Sequence, residues 1–290
     1  MRGIIIGDVA GSLWEGLGRP AFDDPLFPRG SRYTDDTVTA AAVAEAILDG
    51  RRFGPRLHHW GRHHPDRGYG AMFEAWLEGR VTGAYQSFGN GSCVRGAVCG
   101  FLARSDAEAT AMARSACMPT HDHPDAIAAA EAVAAAVRAG LRGEGADGVL
   151  KAVTSRLGAE PPDLEELYAR SCFDVSAAAT ALSATVCAAL APKFGFEATI
   201  RAALHAGGDT DTTAAIAGAI AESMVGVPEE LWARAEKAGE LTSDIADIVR
   251  SFDHVRENGG LQGTVLGRRM RALFRSRPAA PKIEARFRYH

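Results

Sequence analysis

Three short segments combine carboxylates with glycine or threonine, the residue types that could hold a divalent cation. They are Gly7-Asp8-Val9-Ala10-Gly11 followed by Glu15, then Thr34-Asp35-Asp36-Thr37, and Gly207-Gly208-Asp209-Thr210-Asp211-Thr212. Neighbouring carboxylates repel one another, so a close group of them usually needs a compensating cation. Carboxylate and hydroxyl oxygens are hard ligands that suit Mg²⁺, Mn²⁺ or Ca²⁺. The Asp35/Asp36 and Asp209/Asp211 pairs, although far apart in the sequence, could face each other and hold two ions.

The same residues have a structural interpretation. Each segment lies at or near the start of a predicted helix, where Asp and Thr cap exposed amides and interact favourably with the helix dipole. The sequence leaves capping and cation binding both open.

Two further segments could line a site. Ser87-Phe88-Gly89-Asn90-Gly91-Ser92 leads into a predicted helix, and a glycine-rich turn that opens a helix offers amides to phosphate. Gly-Asn-Gly is also a common tight turn. Thr120-His121-Asp122-His123-Pro124 is interpreted as a polar lead into the next helix, with Asp122 or His123 near the N-cap and Pro124 at the first position.

A histidine-rich segment holds His58, His59, His63 and His64. The spacing of these residues resembles that of metal ligands, but no cysteine or acid completes a ligand pattern nearby. We therefore predict a solvated surface loop here.

The elements that must position these residues are helices. Apolar residues recur with helical spacing in Asp35–Leu48, Val94–Leu102, Asp125–Ala139, Ser176–Leu190, Glu197–His205, Thr212–Met224, Pro228–Ala238 and Ser243–Arg256. Loops are predicted at Arg19–Arg32, Pro55–Gly70 and Gly158–Pro162, where Pro, Gly and charge cluster. No segment alternates as a strand would, and the apolar run Ile4–Ile6 is too short to assign. The pattern predicts an all-α fold.

Composition narrows the functional class. The 290 residues carry a net charge of −4, which argues against a nucleic-acid binder, and 47% are hydrophobic, which is enough for a core. The N-terminal segment lacks the features of a signal peptide, and no uninterrupted apolar run reaches membrane-spanning length. Five cysteines without a Cys-x-x-Cys pair are expected to be reduced, mostly buried thiols in a cytoplasmic protein. The chain is divided into a domain over residues 1–277 and a basic tail over residues 278–290.

Taken in order, the three acidic segments, the glycine-rich segment before Ser92 and the segment around His121 resemble the motifs of the ADP-ribosylglycohydrolase family. The resemblance extends from Gly3 to about Val227. The resemblance implies a compact all-α domain, an orthogonal helix bundle, with two Mg²⁺ or Mn²⁺ ions at the base of a cleft. Thr34, Asp35 and Asp36 match one ligand set, and Asp209, Asp211 and Thr212 match the other. The loop that holds the diphosphate and distal ribose is matched by Ser87, Phe88, Gly89, Asn90 and Gly91, and His121 matches a residue lining the cleft.

The implied reaction is hydrolysis of the bond between ADP-ribose and an acceptor, such as a modified protein side chain. The two ions would orient the ribose and activate water. Asp35, Asp36 or Glu15 would steer that water or protonate the leaving group, and we favour Glu15 because the two aspartates would be occupied by metal. The alternatives are a catalytically silent ADP-ribose-binding or structural relative and a metal-dependent nucleotide-diphosphate phosphohydrolase. The sequence departs from the family's pattern after Gly91, where relatives often have small residues and then Met-Arg and this chain has Ser92-Cys93-Val94-Arg95-Gly96. It also departs before Gly207, where relatives often have an apolar or amide-bearing residue and this chain has His205-Ala206. We expect these changes to lie near the cleft wall and to bear on substrate choice, and to leave the metal ligands intact.

Overall fold

The computed structural model describes residues 1–169 and 174–258. Within these ranges the chain forms helices and no strand, so the predicted all-α fold is confirmed. An isolated antiparallel bridge joins Gly89 and Ser176. The helices are α1 (Arg2–Gly11), α2 (Asp35–Asp49), α3 (Phe53–His63), α4 (Ala71–Leu77), α5 (Gly91–Leu102), α6 (Asp106–Cys117), α7 (Pro124–Leu141), α8 (Gly145–Leu157), α9 (Leu164–Ala169), α10 (Ala177–Ala188), α11 (Ala191–Phe194), α12 (Phe196–Ala206), α13 (Thr210–Val225), α14 (Glu229–Gly239) and α15 (Ser243–Glu257).

Helix α13 lies at the centre of the bundle. It packs against α1, α12, α10, α7 and α5, and its residues from Thr210 to Ser223 are all buried. Five alanines and one glycine lie along this helix, and their small side chains let neighbouring helices approach closely. The N-terminal end of α13 is therefore held rigidly inside the molecule, and this end carries Asp209 and Asp211.

A seam of glycines sets the distance between α1 and α13. A Cβ atom added at Gly7 would lie 2.1 Å from the carbonyl oxygen of Ala214, and one at Gly11 would lie 2.4 Å from the Cα atom of Asp211. A Cβ atom added at Gly3 would likewise lie 2.2 Å from the carbonyl oxygen of Gly218. Three glycines spaced four residues apart share one helix face. The seam therefore brings the end of α1 against the start of α13.

The Gly158–Pro162 loop and all eight predicted helices are present, with shifts of a few residues at their ends. Gly50 ends α2 in the left-handed conformation, and His123 caps α7 with Pro124 in its first turn, as the sequence suggests. Helix α1 was missed because glycines interrupt its apolar pattern. Helix α6 was also missed, although Ser105 accepts a hydrogen bond from the Glu108 amide (3.2 Å), as in a capping box. Helices α4, α8, α9 and α11 were not predicted either.

The histidine-rich segment is not a loop. Residues up to His63 form α3, so the predicted Pro55–Gly70 loop is wrong over residues 55–63, where a proline in the first turn of the helix loses no hydrogen bond. Residues 64–70 are not helical, as predicted. His59 and His63 are exposed on α3, whereas His64 is buried. The Nε2 atom of His64 lies 3.0 Å from a carboxylate oxygen of Asp244, and its Nδ1 atom lies 3.1 Å from the Tyr33 hydroxyl. His64 thus links α3 to α15.

Four of the five cysteines lie in the described part of the chain, where all are free and buried; Cys172 lies outside it. One stretch of the described chain, Ala177–Phe194, is long and apolar enough to span a membrane by length and composition, but 56% of it is buried in the fold. Its packing against α13 and α7 accounts for its apolar character. The predicted tail over residues 278–290 and the boundary at residue 277 lie outside the described residues.

Candidate active site

Five carboxylates meet in one cavity of about 390 Å³, here called the acidic cavity. They belong to Glu15, Asp35, Asp36, Asp209 and Asp211. Glu15 lies on the turn after α1, the next pair begins α2, and the last pair begins α13. The structure thus brings both acidic helix starts to the same space, together with Thr212, Ser87, Gly89, Asn90, Gly91 and His121.

Asp8 lies outside the cavity and fastens α1 to α2. Its buried carboxylate accepts hydrogen bonds from the backbone amides of Thr34 (2.9 Å) and Thr37 (3.2 Å) and from both threonine hydroxyls. Burial raises the pKa of Asp8, and these four donors oppose that shift. The first acidic segment is therefore divided: Asp8 positions α2, and Glu15 faces the cavity.

Thr34 takes part in this anchor. Its hydroxyl donates to Asp8 and accepts from the Asp36 amide (3.4 Å), so Thr34 is the N-cap of α2. Its side chain is not among those that line the acidic cavity. The proposed metal-ligand role of Thr34 therefore stays a prediction, and the structure shows a capping role.

Capping does not account for the aspartates. Asp35 and Asp36 lie inside the first turn of α2, beyond its N-cap. Asp209 occupies the N-cap position of α13, but its side chain makes no capping hydrogen bond. Its carboxylate instead accepts a hydrogen bond from the side-chain NH₂ group of Asn90 (2.8 Å). One buried carboxylate oxygen of Asp36 has no hydrogen-bond partner in the described part of the chain. A buried acceptor of this kind is costly unless something else binds it.

Repulsion and burial act together on these side chains. Burial is the main cause of the raised pKa of Asp35, Asp36 and Asp211, and neighbouring carboxylates raise each pKa further. Only a proton or a bound cation relieves this arrangement.

The donor set fits a hard divalent cation. Glu15, Asp209 and Asp211 each place one carboxylate oxygen within 4.8 Å of the others. Asp36 adds an oxygen that lacks a partner in the described structure, and Asp35 lines the same space. Oxygen ligands with several negative charges suit Mg²⁺ or Mn²⁺.

Glycines hold Glu15 beside Asp209. The Gly16 amide donates to the Gly208 carbonyl oxygen (3.1 Å), which joins the Glu15 turn to the loop before α13. Gly208 has a φ of 76°, a conformation that residues with a side chain rarely adopt. Partial burial and then the charge of Asp209 raise the pKa of Glu15. Glu15 is thus an exposed carboxyl at the cavity mouth that keeps its proton to a higher pH than usual.

The predicted phosphate loop lines the cavity only in part. Phe88 points away from it: its side chain is exposed, and its ring lies 6.1 Å from that of His123. The Gly89 amide donates to the Ser87 hydroxyl (3.2 Å), and the Asn90 amide donates to the Val175 carbonyl oxygen (2.9 Å). The backbone amides of Gly89 and Asn90 therefore already have acceptors within the protein.

Comparison with known proteins identifies the fold and family. A model of the ADP-ribosylglycohydrolase family matches residues 1–260. The chain belongs to the ADP-ribosylglycohydrolase family. A solved structure titled "ADP-ribosylglycohydrolase-related protein complex" has the same fold, with a TM-score of 0.65 and 24% sequence identity over 86% of this chain and 95% of that one. No curated protein matches the sequence.

Membership of the ADP-ribosylglycohydrolase family supports a hydrolase that acts on ADP-ribosylated substrates. Members are generally metal-dependent, and the acidic cavity supplies a group of carboxylates able to bind a metal.

The acidic cavity is also lined by residues that the sequence did not identify as site residues, among them Thr39, Met72, Tyr85, Arg95 and Val175. Arg95 is the most informative. It is buried within α5, and its Nη1 atom donates to the Thr120 hydroxyl (2.7 Å). A single arginine within the otherwise apolar stretch from Cys93 to Leu102 was the signal that could have revealed it.

Proposed function

We propose that this chain hydrolyses the glycosidic bond between ADP-ribose and an acceptor, with a pair of Mg²⁺ or Mn²⁺ ions as cofactor. The convergence of two acidic helix starts in one cavity, beside a glycine loop and His121, is the observation that carries the proposal. Neither helix start holds enough ligands alone, whereas together with Glu15 they supply five carboxylates.

The proposed metal ligands are Asp35, Asp36, Asp209, Asp211 and Thr212, with Thr34 as a further candidate. Bound cations would supply ligation of the ribose hydroxyls and activation of water. Asn90 holds the Asp209 carboxylate in place by its hydrogen bond, and Asp8 fixes the start of α2. These contacts mean that the ligand set is largely preorganised.

Glu15 is the proposed general acid. Cleavage at the anomeric carbon of the ribose passes through an oxocarbenium-like transition state, and the leaving nitrogen or oxygen then needs a proton. The raised pKa of Glu15 keeps a proton on its carboxyl group closer to neutral pH, which suits such a donor. Asp35 and Asp36 are deeper in the cavity and are more easily explained as ligands.

The test is a comparison of products from three substrates, ADP-ribosyl-arginine, ADP-ribosyl-serine and O-acetyl-ADP-ribose, with and without Mg²⁺ or Mn²⁺. Release of ADP-ribose that requires the cation and is lost in Glu15→Gln would support the proposal. Release of phosphate or a nucleoside monophosphate instead would identify a phosphohydrolase. Binding of ADP-ribose without turnover of any of the three would identify a silent binding protein.

A further inference from the structure

A chain of three polar side chains runs from the core of α5 to the acidic cavity. Arg95 donates from Nη1 to the Thr120 hydroxyl oxygen (2.7 Å), and that oxygen lies 2.8 Å from Nδ1 of His121. All three side chains are at least nine-tenths buried. The His121 ring ends at the glycine loop: its Nε2 atom lies 3.5 Å from the position of a Cβ atom at Gly89 and 4.0 Å from one at Gly91.

The hydrogen-bond donors and acceptors of these side chains indicate which ring nitrogen of His121 carries the imidazole proton. A guanidinium has donors and no acceptor, so the Thr120 oxygen must accept from Arg95 and keeps its own hydrogen for another partner. The Tyr85 hydroxyl also interacts with Thr120. Neither hydroxyl hydrogen lacks an acceptor when Tyr85 donates to Thr120 and Thr120 donates to Nδ1 of His121. The imidazole proton is then on Nε2, which faces the loop. If the imidazole proton were on Nδ1, Thr120 would have to donate to Tyr85, and the Tyr85 hydrogen would have no acceptor among these side chains.

Two effects favour a neutral imidazole in this position. Burial and the nearby charge of Arg95 both lower the pKa of His121. A neutral ring with its proton on Nε2 is a hydrogen-bond donor toward the cavity. This donor is placed where the Gly89 and Asn90 amides already donate to Ser87 and Val175.

We propose that Arg95 and Thr120 are positioning residues that hold His121 as the Nε2–H tautomer, and that His121 then donates a hydrogen bond to a diphosphate oxygen of the substrate. The ligand part of this inference rests on the proposed function. The tautomer does not, because it follows from contacts within the free protein. Such a donor binds an oxygen that can only accept, and it offers nothing to a ligand group that must donate.

The first test is nitrogen NMR on the full chain with labelled histidine at neutral pH, without ligand. His121→Gln identifies the resonances that belong to His121. We expect a neutral ring protonated on Nε2. A ring protonated on Nδ1, in which Thr120 would donate to Tyr85 instead, would overturn the inference, and so would a cationic ring.

The second test is a pair of Thr120 variants titrated with ADP-ribose. Thr120→Val keeps the shape of the side chain but removes the hydroxyl, so the His121 spectrum should show mixed tautomers and the affinity should fall about tenfold. Thr120→Ser restores the hydroxyl and should restore both the spectrum and the affinity. An unchanged tautomer in Thr120→Val would overturn the positioning role. A wild-type protein with the expected tautomer that fails to bind ADP-ribose would count against the proposed function and the ligand assignment, while the positioning role would stand.

Discussion

Asp8 and Asp211 show how hydrogen-bond partners separate a structural carboxylate from a functional one. Both are buried and follow or precede glycine or threonine in similar segments of sequence. Asp8 accepts from four donors, whereas Asp211 faces Asp209 and Asp36 and accepts from the Thr212 amide (2.9 Å). The sequence shows an acidic residue in both segments. Only the folded structure shows that Asp8 is surrounded by hydrogen-bond donors and that Asp211 is surrounded by other carboxylates.

Asp211→Asn is expected to abolish turnover while leaving the fold intact. The amide keeps an oxygen for the Thr212 amide but removes a negative charge from the cavity, so activity should fall on the order of 10²-fold or more. In chelator the melting temperature should be equal or higher, because the change relieves repulsion. Asp125→Asn is the control, since Asp125 is an exposed first-turn acid of α7 outside the cavity. Equal effects of the two variants on turnover would contradict the assignment.

Asp8→Asn should have the opposite effect on stability. An asparagine oxygen in place of Oδ2 can keep three of the four donors, but the NH₂ group then faces the Thr34 hydroxyl, which loses its acceptor. The remaining hydrogen bonds also lose the negative charge of their acceptor. The free energy of unfolding should fall by about 1–3 kcal/mol, with or without a divalent cation. Urea denaturation of Asp8→Asn and Asp211→Asn in chelator would show the contrast. Loss of stability in both variants would mean that Asp211 is also a structural acid.

Among the helices, those with a continuous apolar stripe could be predicted and those defined by close packing could not. Asp35–Leu48 and Ser243–Arg256 show the expected spacing, and the structure contains both with small shifts. Helix α1 has glycine at three positions of its buried face, and the low helix propensity of glycine predicts an interruption there. Those glycines are explained only by α13, whose backbone they touch. A residue pattern within one helix does not show which other helix will pack against it, so the reason for these glycines could not be predicted from the sequence of α1.

Gly7→Ala is expected to destabilise the protein strongly. The new Cβ atom would meet the backbone of Ala214 and Ala215 within 2.4 Å, and the backbone of a buried helix cannot move aside cheaply. The free energy of unfolding should fall by about 1–3 kcal/mol or more, as for other overpacked cores. Gly54→Ala in α3 is the matched control, because its nearest neighbours are 3.5 Å away on Pro119. That variant should be as stable as the wild type or slightly more so. Chemical denaturation of both proteins measures the difference, and similar stabilities would show that the α1–α13 seam can relax.

At the scale of the described structure, carboxylates repel one another in the acidic cavity, whereas a buried carboxylate elsewhere is paired with positive charge. The acidic cavity collects carboxylates from α2, α13 and the turn after α1, so its repulsion acts against the packing of all three. Far from it, Glu222 accepts hydrogen bonds from the Met1 amino group (3.0 Å) and the Gly3 amide (2.8 Å). These interactions lower the pKa of Glu222 although burial opposes them. The two regions therefore respond to pH with opposite signs.

The sign for the cavity predicts how stability depends on pH and metal together. Asp35, Asp36 and Asp211 have a raised pKa in the folded state, so the folded protein binds more protons than the unfolded chain above their ordinary pKa of 3.8. Their contribution to stability is complete below that value and is lost as pH rises through the raised values, by about 1.4 kcal/mol per pH unit for each proton that the folded protein still holds and the unfolded chain does not. In chelator, the cavity should therefore destabilise the protein as pH rises from about 5 to about 7.5.

A divalent cation should reverse this trend, because it binds the charged carboxylates and competes with their protons. The stabilisation by Mg²⁺ or Mn²⁺ should thus be small at about pH 5 and much larger at about pH 7.5. Thermal melts at both pH values, with cation and with chelator, measure it, and the difference between the two conditions cancels groups such as Glu222 that lie far from the cavity. Asp36→Asn should flatten the pH dependence in chelator, because it removes one of the carboxyl groups whose raised pKa causes that dependence. A stabilisation by cation that does not change with pH would mean that the ions bind outside the acidic cavity.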